Sequence, residues 1–258
     1  MGYIHIRDQW AGRPLVFIHG FCDTHQLWDD FVKPFAERFR VLTLDLPGFG
    51  QSDLLPAPFT LDDVGDRLAT LFSELKLEQP ILIGHSLGGY VSLSMLERHA
   101  ELLSGVVLFH STAFPDTDER RKVRDKVIGF VQEHGVGPFL ETFVPGLFLD
   151  KTNPAIPFTR QRTSKTKPAA VIGYAAAMRD RPDRSGLVAA TEKPVLVIGG
   201  TEDSLIPIKD LRTLAQMAPK ITLAELPEAA HMGMFEAKNQ GQNILSSYIK
   251  RIWGIHGT

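Results

Sequence analysis

The pentapeptide Gly84-His85-Ser86-Leu87-Gly88, followed by Gly89, places one serine between paired glycines. An apolar run at residues 81–83 leads into it and an amphipathic stretch leaves it, so Ser86 falls on a strand-to-helix turn, the setting of a nucleophile elbow. Such a turn strains the serine backbone and crowds the flanking positions against neighbouring main chain, where glycine removes the collision. The hydroxyl then stands at the tip of the turn, with the first amides of the next helix aimed at developing negative charge. A serine hydroxyl is a weak nucleophile until a base takes its proton, and that base needs a carboxylate to orient it. Asp203 follows the apolar run 195–198, and His231 lies just beyond the last run, in Ala229-Ala230-His231-Met232-Gly233. The order Ser86, Asp203, His231 is neither that of chymotrypsin nor that of subtilisin. Glu202 and, further away, Asp116 compete with Asp203 for the place of the acid.

A tetrahedral intermediate also needs two preorganised N–H donors. His19-Gly20-Phe21-Cys22, after the apolar run 15–18, can set the Phe21 amide opposite that of Leu87. Losing one such donor typically lowers the rate by about 10²–10³. Of the other histidines, His19 and His85 are expected to brace their loops, and His110, at a strand end, to line the pocket. Cys22 has no base of its own and reads as buried packing. Asp45 and Ser52 read as loop-fixing residues.

These groups require a scaffold that delivers them from several strand ends. Short apolar runs at 3–6, 15–18, 41–44, 81–83, 106–109, 195–198 and 221–223 read as strands, several continuous enough for a sheet covered on both faces. Helices are expected at about 24–38, 61–76, 87–99, 207–218 and 236–252, the second opened by a capping box from Thr60 to Asp63. The alternation predicts an α/β fold with a doubly wound, mostly parallel sheet. It breaks over residues 111–190, where only helical segments are legible, at 120–133, 138–149 and 168–179. That stretch also holds Phe114, Phe130, Phe139, Phe143, Phe148 and Phe158. The expected organisation is a core domain from 1–110 and 191–258, with 111–190 inserted as an all-helical lid.

The elbow, the Ser86-Asp203-His231 order, the His19-Gly20-Phe21 loop and the segment Asp45-Leu46-Pro47-Gly48-Phe49-Gly50-Gln51-Ser52 together resemble the α/β-hydrolase superfamily over almost the whole chain. The resemblance implies a serine hydrolase with a sheet of eight strands and a lid. Only residues 3–6 precede the oxyanion loop, so a sheet of seven or eight strands is expected, seven if the first strand of that layout is missing. Residues 111–134 and the segment Met178-Arg179-Asp180-Arg181-Pro182-Asp183-Arg184 look like lids of small bacterial carboxylesterase-like members, some of them related to enol-lactonases. The activity expected is cleavage of a small or medium carboxylic ester through an acyl-enzyme. Lactone, thioester and carbon–carbon hydrolysis or cofactor-free perhydrolysis are alternatives on the same residues. From another class, the chain could be a small-molecule receptor or signalling partner with a slow triad.

Composition narrows the rest. With 28 Lys+Arg against 30 Asp+Glu in 258 residues, the chain lacks a basic footprint for nucleic acid, and 43% hydrophobic residues exclude a disordered chain. The expected partner is a small ester-like molecule, with neither nucleic acid nor membrane. No HExxH, EF-hand, zinc-spaced Cys/His cluster, dinucleotide or Walker loop is present, so no metal and no cofactor are expected. A single cysteine, and a start without a secretory leader, suit a soluble cytoplasmic protein. Charge is uneven: residues 111–190 hold 13 basic and 9 acidic residues, while the remainder holds 15 and 21. A solvated helical face explains this surplus, and steering of an anionic substrate is the sharper reading.

Overall fold

The computed structural model describes residues 2–9 and 11–255. Seven strands form one sheet: β1 (Ile6–Gln9), β2 (Pro14–Ile18), β3 (Arg40–Leu44), β4 (Ile81–His85), β5 (Gly105–Phe109), β6 (Val195–Gly200) and β7 (Ile221–Leu226). Their spatial order is β1-β3-β2-β4-β5-β6-β7, with β1 antiparallel to β3 and all other pairs parallel. Strands β2, β4, β5 and β6 are buried along their whole length, which accounts for their unbroken apolar composition. The order reverses between β2 and β4, so a crevice opens outside the carboxyl ends of these two strands.

The first strand lies three residues later than the apolar run 3–6 suggests. Tyr3 and His5 are extended, but their carbonyls accept from Asp53 and Asp45 in a loop, and the ladder with β3 starts at Ile6 opposite Leu44. The expected helix 24–38 is likewise broken into a 3₁₀ turn, His25–Trp28, and a short helix, α1 (Lys33–Ala36). At its start the buried Asp45 carboxylate accepts from both the backbone N–H (2.7 Å) and the ring Nδ1 (2.8 Å) of His25. Trp28 and Phe31 from this segment pack against Phe17 and Phe109 of the sheet.

Helices α2 (Leu61–Glu74) and α3 (Leu87–Arg98) follow the expected positions. Thr60 closes the capping box on α2: Asp63 N–H donates to Thr60 Oγ1 at 3.2 Å, and the Asp63 carboxylate accepts from Thr60 N–H at 2.7 Å. Between β5 and β6 the regular elements of the described chain are all helices, α4 (Asp118–His134), α5 (Val136–Gly146), α6 (Ala155–Thr163), α7 (Pro168–Arg179) and α8 (Ser185–Ala190). The reading from sequence missed α6 and α8. Pro157 obscures α6, yet it lies in the first turn, where proline breaks no intrahelical bond. After β6 come α9 (Ile208–Gln216), α10 (Gly233–Glu236) and α11 (Lys238–Trp253). Among the described residues no helix is long and apolar enough to cross a membrane.

Candidate active site

Ser86 sits between β4 and α3 at φ 50° and ψ −113°, outside the regions that side-chain-bearing residues favour. Four bonds hold it there: its N–H donates to Phe109 O (3.0 Å), while its carbonyl accepts from Gly89 N–H (2.9 Å), Tyr90 N–H (3.4 Å) and Ser111 Oγ (2.8 Å). The flanking glycines are required by close approach. A Cβ on Gly84 would lie 2.4 Å from the Gly88 carbonyl, and one on Gly88 would lie 2.4 Å from Ile18 O. The second contact also draws the end of β2, and with it the His19-Gly20-Phe21 loop, against the elbow. A Cβ on Gly20 would meet His85 Nδ1 at 2.5 Å and Ser86 Cβ at 3.4 Å. Among the described residues, the amides of Phe21 and Leu87 donate to no acceptor. His19 braces this loop, its Nε2 accepting from Leu46 N–H (2.9 Å) and its Nδ1 donating to Gly20 O (2.7 Å). Cys22 is buried beside it, where burial pushes the thiol well above its ordinary value.

Asp203 follows β6 and is buried. Its Oδ1 accepts the backbone N–H groups of Leu205 and Ile206, both at 2.9 Å, and its Oδ2 accepts from His231 Nδ1 at 2.7 Å. Burial alone would raise its carboxyl. The opposing pull of His231 and the hydrogen bonds from His110 and His231 win, holding it well below the usual carboxylate range. Glu202 is exposed and bonds Thr201, and Asp116 lies in the insertion between Arg124 and Arg181, so neither rival reaches His231. With Nδ1 protonated toward Asp203, the lone pair of the neutral His231 ring sits on Nε2. Ser86 and His231 border one cavity of about 470 Å³. No hydrogen bond joins Ser86 Oγ to a described residue.

His110 departs from expectation. It is 0% exposed and does not line the cavity. Instead its Nδ1 lies 3.1 Å from the same Oδ2 of Asp203 that His231 uses. Gly200 N–H is 3.4 Å from that nitrogen, but a lone pair there would face the carboxylate, so the proton belongs on Nδ1. Burial depresses the His110 pKa against the pull of Asp203, leaving the ring neutral. His85 donates from Nε2 to the His231 carbonyl (2.9 Å), bracing the loop of the candidate base, and also borders the cavity. That loop is tied to the insertion as well. His231 N–H donates to Leu147 O (3.0 Å), and the Glu236 carboxylate accepts from Ala230 N–H (3.0 Å) and Leu149 N–H (2.6 Å).

Of the six insertion phenylalanines, Phe139 and Phe143 line the cavity, stacked at 4.9 Å and edge-on to Phe21. Phe130 and Phe158 face solvent, and Phe148 is buried. Asp45 and Ser52 fix their loop: Asp45 Oδ2 accepts from Gln51 N–H (2.9 Å), and Ser52 Oγ donates to Asp45 O (2.6 Å). Two groups, His5-His25-Asp45 and His110-Asp203-His231, bring three potential metal-ligand atoms within 4.8 Å. In the second, both Nδ1 atoms carry protons pointed at Asp203, so the carboxylate alone offers a lone pair there.

A family model for the alpha/beta hydrolase fold matches residues 13–238. The solved structure of a malate-bound thermophilic esterase from Thermogutta terrifontis superposes with a TM-score of 0.91 at 28% identity, covering 97% of this chain and 94% of that one. The chain is 26% identical over 250 residues to the dihydrolipoyllysine-residue acetyltransferase component of the acetoin cleaving system of Pseudomonas putida, matching 93% of its own length and 64% of that protein's. It is 24% identical over 235 residues to the 2-(acetamidomethylene)succinate hydrolase of Mesorhizobium japonicum, covering 88% of this chain and 84% of that one.

Proposed function

The chain belongs to the α/β-hydrolase fold family, and from that premise we propose that it is a serine hydrolase cleaving a small or medium carboxylic ester through an acyl-enzyme. Ser86 is the nucleophile, His231 the base, Asp203 the orienting acid, and the amides of Phe21 and Leu87 the oxyanion donors. The observation that carries the reading is the 2.7 Å bond from His231 Nδ1 to the buried Asp203, with Ser86 on a positive-φ turn at the same cavity.

In the proposed cycle His231 Nε2 takes the Ser86 proton as Oγ attacks the ester carbonyl, and Asp203 stabilises the imidazolium without itself taking the proton. The negative charge on the carbonyl oxygen develops toward the Phe21 and Leu87 amides, which have no acceptor to give up first. The imidazolium then protonates the departing alkoxide. Water, deprotonated by the same ring, releases the acid and restores Ser86. The insertion serves as a lid, with Phe139 and Phe143 as an apolar wall over the serine.

Turnover of p-nitrophenyl esters of graded acyl length tests the reading, alongside a lactone, a thioester and a peracid assay. Multiple turnovers of an ester with a burst of nitrophenol are expected. Removal of Ser86 Oγ by Ser86→Ala should lower kcat by about 10⁴–10⁶. Retained turnover in that variant would exclude Ser86 as nucleophile, and slow single turnover on every substrate would favour a receptor.

A further inference from the structure

Helix α4 presents one face to the cavity: Arg120, Val123, Arg124 and Val127 line it at the i, i+3, i+4, i+7 spacing of a helical stripe. The wall is otherwise mainly apolar, and Phe139 and Phe143 of α5 also line it. Charges on such a wall are neutralised unless something else answers them. Asp23 is answered, since both its oxygens accept from Arg162, at 2.6 and 2.9 Å. Arg124 is answered in part. Its Nε donates to Asp116 Oδ2 at 3.0 Å, but Arg181 faces the other oxygen of that carboxylate at 2.6 Å, so two guanidiniums share one negative charge.

Arg120 is different. Among the described residues no carboxylate lies within ion-pair distance of it. Six of the insertion's other seven arginines each face one, and the seventh, Arg121, points its Nε at a main-chain oxygen. The acids next to Arg120 in sequence, Asp118 and Glu119, are exposed and do not line the cavity. Arg120 is only half-exposed, so its charge is partly desolvated with no protein group to compensate. An anionic ligand in the cavity would supply that compensation, and a carboxylate matches a guanidinium in a bidentate fork.

We propose that Arg120, reinforced by the shared charge of Arg124, forms a carboxylate-binding subsite, so that the preferred substrates are half-esters of dicarboxylic acids or esters with an acidic tail. The inference rests on the serine-hydrolase reading for its catalytic half. The apolar side chains that line the same cavity as Ser86 and α4 would face the methylene chain separating the ester from the acid.

Mono-p-nitrophenyl adipate and p-nitrophenyl hexanoate have matched chain lengths and differ in the terminal carboxylate, so the ratio of their kcat/KM values reads the subsite. The ratio should favour the half-ester in the native protein and fall about tenfold in Arg120→Met. It should also fall as salt rises from about 0.05 to about 0.5 M, because screening weakens the acidic partner alone. An unchanged ratio in Arg120→Met, with hexanoate still hydrolysed, overturns the subsite and leaves the hydrolase standing. If neither ester turns over, the hydrolase reading fails, and adipate then tests the subsite alone. Thermal stabilisation by adipate that is lost in Arg120→Met supports it, and no stabilisation of the native protein overturns it.

Discussion

Asp203 on the sheet half and Asp116 on the helical insertion are both buried carboxylates, yet their surroundings have little in common. Asp203 is answered by two main-chain amides and two imidazoles, Asp116 by two guanidiniums. Asp45 repeats the first pattern with the amides of His25 and Gln51, and Asp23 combines the two, accepting Thr24 N–H at 2.8 Å and reached from α6 by Arg162. The difference follows from what each architecture has to spare. Loops after parallel strands leave backbone N–H groups unpaired and convergent, whereas a helix exposes free amides only in its first turn and so answers a carboxylate with side chains, as Arg124 of α4 and Arg162 of α6 do. Strain divides the same way. Described non-glycine residues with positive φ include Cys22, Ser86 and His110 around the site, and none falls within 111–190. The sheet half fixes groups at the cost of strain, and the insertion wraps them with long, chargeable side chains.

That contrast can be broken at several points. The largest effect is expected from Asp203→Asn, which keeps the shape but offers an amide where the His231 Nδ1 proton needs an acceptor. Ester kcat should fall by about 10⁴, with little change in melting temperature. If Asp203 instead behaves as a stability residue, melting will shift and kcat will not. On the insertion side the order reverses. Arg162 is 2% exposed against an Asp23 at 5%, so Arg162→Met strands a buried carboxylate and should lower stability by about 3–5 kcal/mol in urea unfolding. Adding Asp23→Leu should restore much of it, and failure to do so would mean that the arginine stem, not its charge, holds α6.

Acid should test the sheet half next. Burial lowers the pKa values of His19, His85 and His110 in the folded protein, whereas unfolding returns them to about 6.5. The unfolded chain therefore binds more protons below that value, and stability, complete above it, should decline as pH falls through about 6.5. The slope is up to about 1.4 kcal/mol per pH unit for each histidine. A urea midpoint flat down to pH 5 would show that these rings are protonated in the fold. The smallest effect concerns His110→Phe. Removing the second donor to Oδ2 leaves more negative charge facing His231, so the acid limb of kcat/KM should move to higher pH by a fraction of a unit. His85 and Glu236 also act on the His231 loop and are unchanged in this variant. A variant that loses kcat equally at every pH would reduce His110 to packing.

The residues around Ser86 were legible because local constraints write them: glycines where no Cβ fits, and Asp203 and His231 each just past a strand. His110 carries no such mark. Its position follows only from the strand order β4-β5-β6, which sets the residue after β5 between Ser86 and Asp203. The pairing of Arg162 with Asp23 spans 139 residues and leaves no periodic trace. The anchor at the start of segment 24–38 was hidden for the same reason, since the carboxylate that pins His25 lies on the loop after β3. A sheet of seven or eight strands was foreseeable, but the offset of β1 was not, because Tyr3 and His5 bond to the loop around Asp45, Ser52 and Asp53 rather than to a strand.

The bonds that fasten the His231 loop to the insertion use main-chain atoms on the insertion side, the carbonyl of Leu147 and the N–H of Leu149. These bonds therefore make no demand on the side chains, of which Leu147 is buried against the cavity and Leu149 is exposed. A grafted insertion from a relative would need to reproduce that short course of backbone, whatever its own sequence there. The seam at which this enzyme fold can exchange specificities thus runs through a shape that sequence alignment alone would not mark as invariant.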